Sequence, residues 1–131
     1  MIVFRVFVLG ALIGLGTSQM LSQEIQQEAQ LITVDELARQ MEESSQLLLL
    51  DVRTEEEFEE GHLSGALNMD FLSEGFRLQV EQLPKDQPVF IYCRSGNRSA
   101  KAASLLREAG FQQIYDLKGG YLEWEKEKPR K

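Results

Sequence analysis

Two periods of apolar spacing alternate along this chain. Short apolar runs bounded by polar residues stand at Gln46–Asp51, which carries four successive leucines, at Val89–Cys93 and at Gln113–Leu117. Runs of this length and composition predict strands buried on both faces of a parallel sheet. A briefer strand is expected at Ala66–Met69, after a turn spanning Gly61–Gly65. Between the strands the spacing becomes helical. Thr33 and Glu36 are placed as a capping box and open a helix expected to end near Glu43. Thr54 and Glu57 repeat that spacing and start a short helix through Phe58. Further helices are expected at about Ser73–Leu83, before a turn over Pro84–Pro88, and at Ser99–Ala109, where Gly110 stops the pattern. Gly119 and Gly120 mark a close turn, and Trp124 is expected to pack the last helix onto the sheet. Strands and helices in this alternation predict an open α/β fold with a mainly parallel sheet. Ligands of such sheets bind beyond the carboxyl ends of the strands, which is where Cys93 falls.

The ends of the chain differ from its middle. Within residues 1–18 Arg5 is the only charge, and the apolar run Val6–Gly16 is shorter than the ~20 residues of a membrane-spanning helix. This pattern predicts a secretory signal peptide over 1–18, with Gly16 and Ser18 as the small residues before the cut. An uncleaved N-terminal anchor is the competing reading. The expected location is exported, periplasmic or secreted, with no stable membrane insertion once the signal is removed. A polar linker is expected over 19–30, one folded domain over 31–125, and a disordered tail over 126–131. The 21 acidic residues outnumber the 14 basic ones, for a net charge of −7. A broad basic face for nucleic acid is therefore not expected.

Cys93 is the only cysteine. In an exported chain an odd cysteine signals either an intermolecular bridge or a reactive thiol, and the residues that follow favour the second. Arg94-Ser95-Gly96-Asn97-Arg98-Ser99 serves a packing role poorly. A turn containing Gly96 and Asn97 that feeds straight into a helix points backbone N–H groups inward, with the positive end of the helix dipole behind them. Such surroundings lower a thiol's pKa, and Arg94 and Arg98 are expected to act in the same direction. Both arginines are candidates for binding an oxyanion through charge-assisted bonds, the alternative being that one pairs with an acidic neighbour. The acidic stretch Glu55–Glu60 reads as a solvated helix face. His62 is the only histidine, which excludes a multi-histidine metal site, and no metal or other cofactor is expected. A Cys93–His62 catalytic pair can be drawn, although a thiolate already held by N–H donors needs no general base.

Four blocks in order carry a resemblance to the rhodaneses, specifically the small single-domain sulfurtransferases. They are Asp51-Val52-Arg53, Glu60-Gly61-His62-Leu63-Ser64-Gly65-Ala66, Cys93 through Ser99, and Gly119-Gly120 with Trp124, together spanning most of Leu31–Trp124. Ser64 departs from the family, which often carries Pro there. The resemblance implies an open, mainly parallel sheet with helices on both faces and the active-site loop between the central strand and the next helix. It implies that Cys93 attacks the sulfane sulfur of a donor such as thiosulfate, becomes a persulfide and passes the sulfur to cyanide or a thiol. Arg94, Ser95, Gly96, Asn97, Arg98 and Ser99 would bind the donor, while Asp51, Arg53 and His62 would support the surrounding loops. The expected partners are small sulfur-containing anions and a thiol or protein acceptor. A non-catalytic persulfide carrier is the alternative from a binding class. A cysteine phosphatase or arsenate reductase is a third reading, and loop length argues against it. Phosphatases place Arg six positions after the nucleophile, whereas Arg98 stands at the fifth and Ser99 takes the sixth.

Overall fold

The computed structural model describes residues 29–128. The expected signal peptide, nearly all of the expected linker and the last three residues of the expected tail lie outside that range. Five strands and five helices alternate among the described residues, in the order β1 (Gln30–Ile32), α1 (Val34–Glu43), β2 (Leu48–Asp51), α2 (Glu55–Glu60), β3 (Leu67–Asn68), α3 (Phe76–Glu81), β4 (Val89–Tyr92), α4 (Asn97–Glu108), β5 (Ile114–Leu117) and α5 (Gly120–Glu127). The strands form one sheet in the order β1-β5-β4-β2-β3, and every pairing is parallel.

Strand periodicity divides the core between the two faces of this sheet. All four residues of β2 and all four of β4 are buried. Leu48, Leu50, Val89, Ile91 and Cys93 join Phe76 and Val80 of α3 and Ala102, Ala103 and Leu106 of α4 on one face. Leu49, Phe90 and Tyr92 join Val34 and Leu37 of α1 on the other, with Phe58, Tyr121 and Trp124 packed against them. Neither face is left for water, which is why the strands read as unbroken apolar runs.

Local chemistry sets the helix starts. Thr33 caps α1 by accepting the Glu36 N–H, and Thr54 and Glu57 close a reciprocal capping box on α2. Four boundaries differ notably from those read in the sequence. β1 begins at Gln30, inside the stretch expected to be linker; it is an edge strand held by backbone pairing to β5, and its exposed Leu31 gives no periodic signal. α3 is shorter than expected because Gly75 at its N-cap offers no side-chain cap. α4 starts at Asn97, two residues early, because Gly96 turns the chain in the left-handed region with φ of 113°. α5 continues through Glu127, into the stretch expected to be tail. No helix of the described residues is long and apolar enough to cross a membrane.

Candidate active site

Connections leave β2 toward β3 and leave β4 toward β5, in opposite directions across the sheet. The crevice beyond the carboxyl ends of β2 and β4 is therefore the topological switch point. Cys93 follows β4 directly and is 1% exposed. The left-handed turn at Gly96 aims its N–H back at the sulfur, which accepts it at 3.0 Å. Ser99, one turn into α4 and fully buried, brings its Oγ to 3.4 Å from Sγ and donates to the Gly96 carbonyl at 3.2 Å. Burial alone would raise the Cys93 pKa. It is outweighed by the Ser99 hydroxyl and the N–H groups of Ser99, Gly96 and Ser95, and the thiol is held below its ordinary value. These donors, rather than the flanking arginines, are the largest favourable contributions. Asn97 takes no left-handed conformation, so Gly96 alone makes the turn.

A second helix locks the loop from the opposite side. The N–H of Tyr121 donates to the Cys93 carbonyl at 2.8 Å and that of Leu122 to the Arg94 carbonyl at 3.1 Å. Gly120 makes this approach possible. Its φ is +63°, and a Cβ there would stand 2.6 Å from both carbonyl oxygens. Loop carbonyls are thus bound outward by α5 while loop N–H groups remain turned toward the sulfur.

The two loop arginines have different surroundings. Arg98 forks onto Glu57, Nη1 to Oε1 at 2.7 Å and Nη2 to Oε2 at 2.9 Å. This pair, together with the Thr54 cap, pulls the Glu57 carboxyl down to about 2. Arg94, Ser95 and Asn97 are exposed on the loop. Glu57 was expected on a solvated helix face; instead it ties α2 to the Cys93 loop, because the capping box turns its carboxylate toward α4.

Asp51 and Arg53 form a buried pair beneath the same crevice. Asp51 Oδ2 receives Arg53 Nη2 at 2.7 Å and the Tyr92 hydroxyl at 2.7 Å, and Oδ1 receives the Arg53 backbone N–H at 2.9 Å. Arg53 also donates to the Gly61 carbonyl at 2.7 Å, and its guanidinium lies 4.2 Å from the Tyr121 ring centroid. His62 stands on the exposed side of that turn. Its ring stacks on Phe58 at 3.7 Å, and Nδ1–H donates to the Phe58 carbonyl at 2.8 Å, which places it in the turn rather than beside the sulfur.

Two contacts of the site lie outside what the sequence predicts: the Tyr92 hydroxyl on Asp51, and the pairing of Glu57 with Arg98 beyond its part in the capping box. The available signal for the first is a hydroxyl inside the otherwise apolar run Val89–Cys93. No group of three His, Cys, Asp or Glu side chains able to hold a metal ion occurs among the described residues.

Comparison with known proteins follows this geometry. The family model described as rhodanese-like domain matches residues 33–127. The chain is 43% identical over 76 residues to the uncharacterized protein YqhL of Bacillus subtilis, an alignment covering 58% of this chain and 59% of that one. It is 33% identical over 93 residues to the thiosulfate sulfurtransferase GlpE of Shewanella oneidensis, covering 71% of this chain and 89% of that one. A solved rhodanese-like domain protein from Staphylococcus aureus superposes with a TM-score of 0.65 at 29% identity, covering 72% of this chain and 90% of that structure.

Proposed function

The chain belongs to the rhodanese-like domain family, and from that premise we propose that it is a sulfurtransferase using Cys93 as a persulfide-forming nucleophile. The observation that carries the reading is the sulfur's surroundings: it accepts the Gly96 N–H at 3.0 Å and stands 3.4 Å from the Ser99 hydroxyl, which can turn to donate to a thiolate, on a thiol whose pKa is held down. Donors placed around one atom favour its anionic forms. The Cys93 thiolate attacks the outer sulfur of thiosulfate, the donor's S–S bond breaks, and sulfite leaves with the bonding pair. Cyanide or a thiolate then attacks the terminal sulfur of the persulfide, and Cys93 departs as the thiolate. Thiolate and persulfide carry the same charge, so one cradle serves both stages.

Arg94 supplies the exposed cation at the loop for an oxyanion tail, whereas Arg98 is engaged by Glu57. That engagement also disfavours phosphoryl chemistry, which needs a free arginine fork around a tetrahedral anion. The test is steady-state thiocyanate production from thiosulfate and cyanide. Parallel double-reciprocal lines are expected, with loss of turnover in Cys93→Ser. Turnover surviving that substitution, or Cys93-dependent hydrolysis of aryl phosphates without thiocyanate formation, would overturn the proposal.

A further inference from the structure

Arg98 is rooted between two residues that meet the sulfur. Gly96, two positions before it, gives its N–H to Sγ at 3.0 Å, and Ser99, the next residue, brings its Oγ to 3.4 Å. A guanidinium carried there is suited to an anion arriving at Cys93. It is committed elsewhere. Both of its terminal nitrogens fork onto Glu57 of α2, at 2.7 and 2.9 Å.

Glu57 is fixed for this contact by its own helix. Its Oε1 also accepts the Thr54 N–H at 3.2 Å and the Thr54 hydroxyl at 3.1 Å, so the capping box sets where the carboxylate points. The side chains of Arg98 and Glu57 are only 22% and 24% exposed. A bidentate pair held in one geometry and partly withdrawn from water is firmer than a loose surface contact. The Glu57 carboxyl, lowered to about 2, keeps its charge throughout the neutral range. An incoming anion therefore meets Arg98 already neutralised, and recruiting it means breaking two charge-assisted bonds. Between Cys93 and Ser99 the only other cation is Arg94, which is exposed.

The balance of charge then bears on the choice of donor. The nucleophile is an anion, so a donor with two negative charges is repelled more strongly than one with a single charge and needs more compensation from the loop. The rest of α2 works against that compensation, with Glu55, Glu56, Glu59 and Glu60 all exposed.

On the sulfurtransferase reading, on which this inference rests, we propose that Glu57 is a specificity-determining residue. It withholds Arg98 from the Cys93 loop, leaves Arg94 as the cation for the donor tail, and so favours sulfur donors with one negative charge, of the thiosulfonate class, over dianions such as thiosulfate. The chemistry is the same for both. The Cys93 thiolate attacks the outer sulfur, the donor's S–S bond breaks, and the bonding pair leaves with a sulfinate or with sulfite.

Methanethiosulfonate differs from thiosulfate by a methyl group in place of one charged oxygen, and the two are compared as donors to the full chain with cyanide as acceptor. The wild type should show the lower KM for methanethiosulfonate. In Glu57→Gln the KM for thiosulfate should fall about fivefold at unchanged kcat, with that for methanethiosulfonate moving less than about twofold. Glu56→Gln removes the same charge from an exposed position of the same helix and should leave both KM values within about twofold of wild type. Protection of Cys93 from iodoacetamide by inorganic sulfate reads the loop without turnover, and half-protection should need about fivefold less sulfate in Glu57→Gln than in wild type. Turnover with neither donor would sink the sulfurtransferase reading, while a shift in sulfate protection would still show Arg98 withheld by Glu57. A wild-type KM lower for thiosulfate, KM values or sulfate protection unchanged in Glu57→Gln, or an equal response from Glu56→Gln would overturn the proposal.

Discussion

Replacing Arg53 by Met tests how the crevice is held together. Asp51 is fully buried and Arg53 3% exposed, so each charge depends on the other for solvation. The substitution removes the side-chain bonds to Asp51 at 3.0 and 2.7 Å, and leaves the carboxylate with the backbone N–H of residue 53 and the Tyr92 hydroxyl. Breaking one side of a buried ion pair costs ~3–5 kcal/mol, because an uncompensated charge stays in a poor dielectric. The Gly61 carbonyl also loses its donor, which adds ~1 kcal/mol. In urea denaturation at neutral pH, Arg53→Met should lose ~3 kcal/mol or more, seen as a fall in midpoint at constant slope. Adding Asp51→Asn should restore part of the loss, since the amide still accepts from Tyr92 and carries no charge. A coupling of ~2 kcal/mol is expected from the cycle. Turnover per folded molecule at low temperature should stay within a few-fold of wild type, because the pair supports the crevice without touching the sulfur. A single-variant loss under ~1 kcal/mol, or a cycle that is additive, would refute the reasoning.

Glu57→Gln keeps the reciprocal cap and removes the charge that pairs with Arg98. Because the folded carboxyl lies at about 2 against an ordinary 4.5, its contribution is present above pH 4.5 and is lost as pH falls from there toward 2. The stability gap between wild type and Glu57→Gln, ~1 kcal/mol for this part-exposed pair, should therefore close over that window when unfolding is measured at successive pH values. Gly120→Ala forces a left-handed alanine whose Cβ meets two loop carbonyls at 2.6 Å; a loss of ~2–4 kcal/mol and a disturbed Cys93 alkylation rate are expected from denaturation and labelling. Arg94→Ala should raise KM for thiosulfate with little change in kcat, as loss of ground-state binding does; an unchanged KM would remove Arg94 from the donor site.

Element order and the position of the Cys93 loop were legible because they depend on short-range signals. Apolar runs marked β2, β4 and β5, capping boxes marked α1 and α2, and Gly96 marked the turn into α4. β1 was not legible, since a three-residue edge strand with an exposed Leu31 is defined by pairing to β5 and by nothing in its own sequence. The contacts that complete the site are of the same kind. Arg98 meets Glu57 across 41 positions and Tyr92 meets Asp51 across 41, distances over which spacing says nothing about partners. His62 belongs to the turn after α2 for a local reason, its stacking on Phe58 four residues earlier; its supporting role was legible only through the family resemblance.

The central claim is that Cys93 carries the sulfur. Intact-protein mass spectrometry after incubation with thiosulfate and removal of excess donor tests it most directly. The account predicts a gain of one sulfur atom mapped to Cys93, its loss on adding cyanide with release of one equivalent of thiocyanate, and no gain in Cys93→Ser. An unmodified Cys93 in a protein that still turns thiosulfate and cyanide into thiocyanate would contradict it.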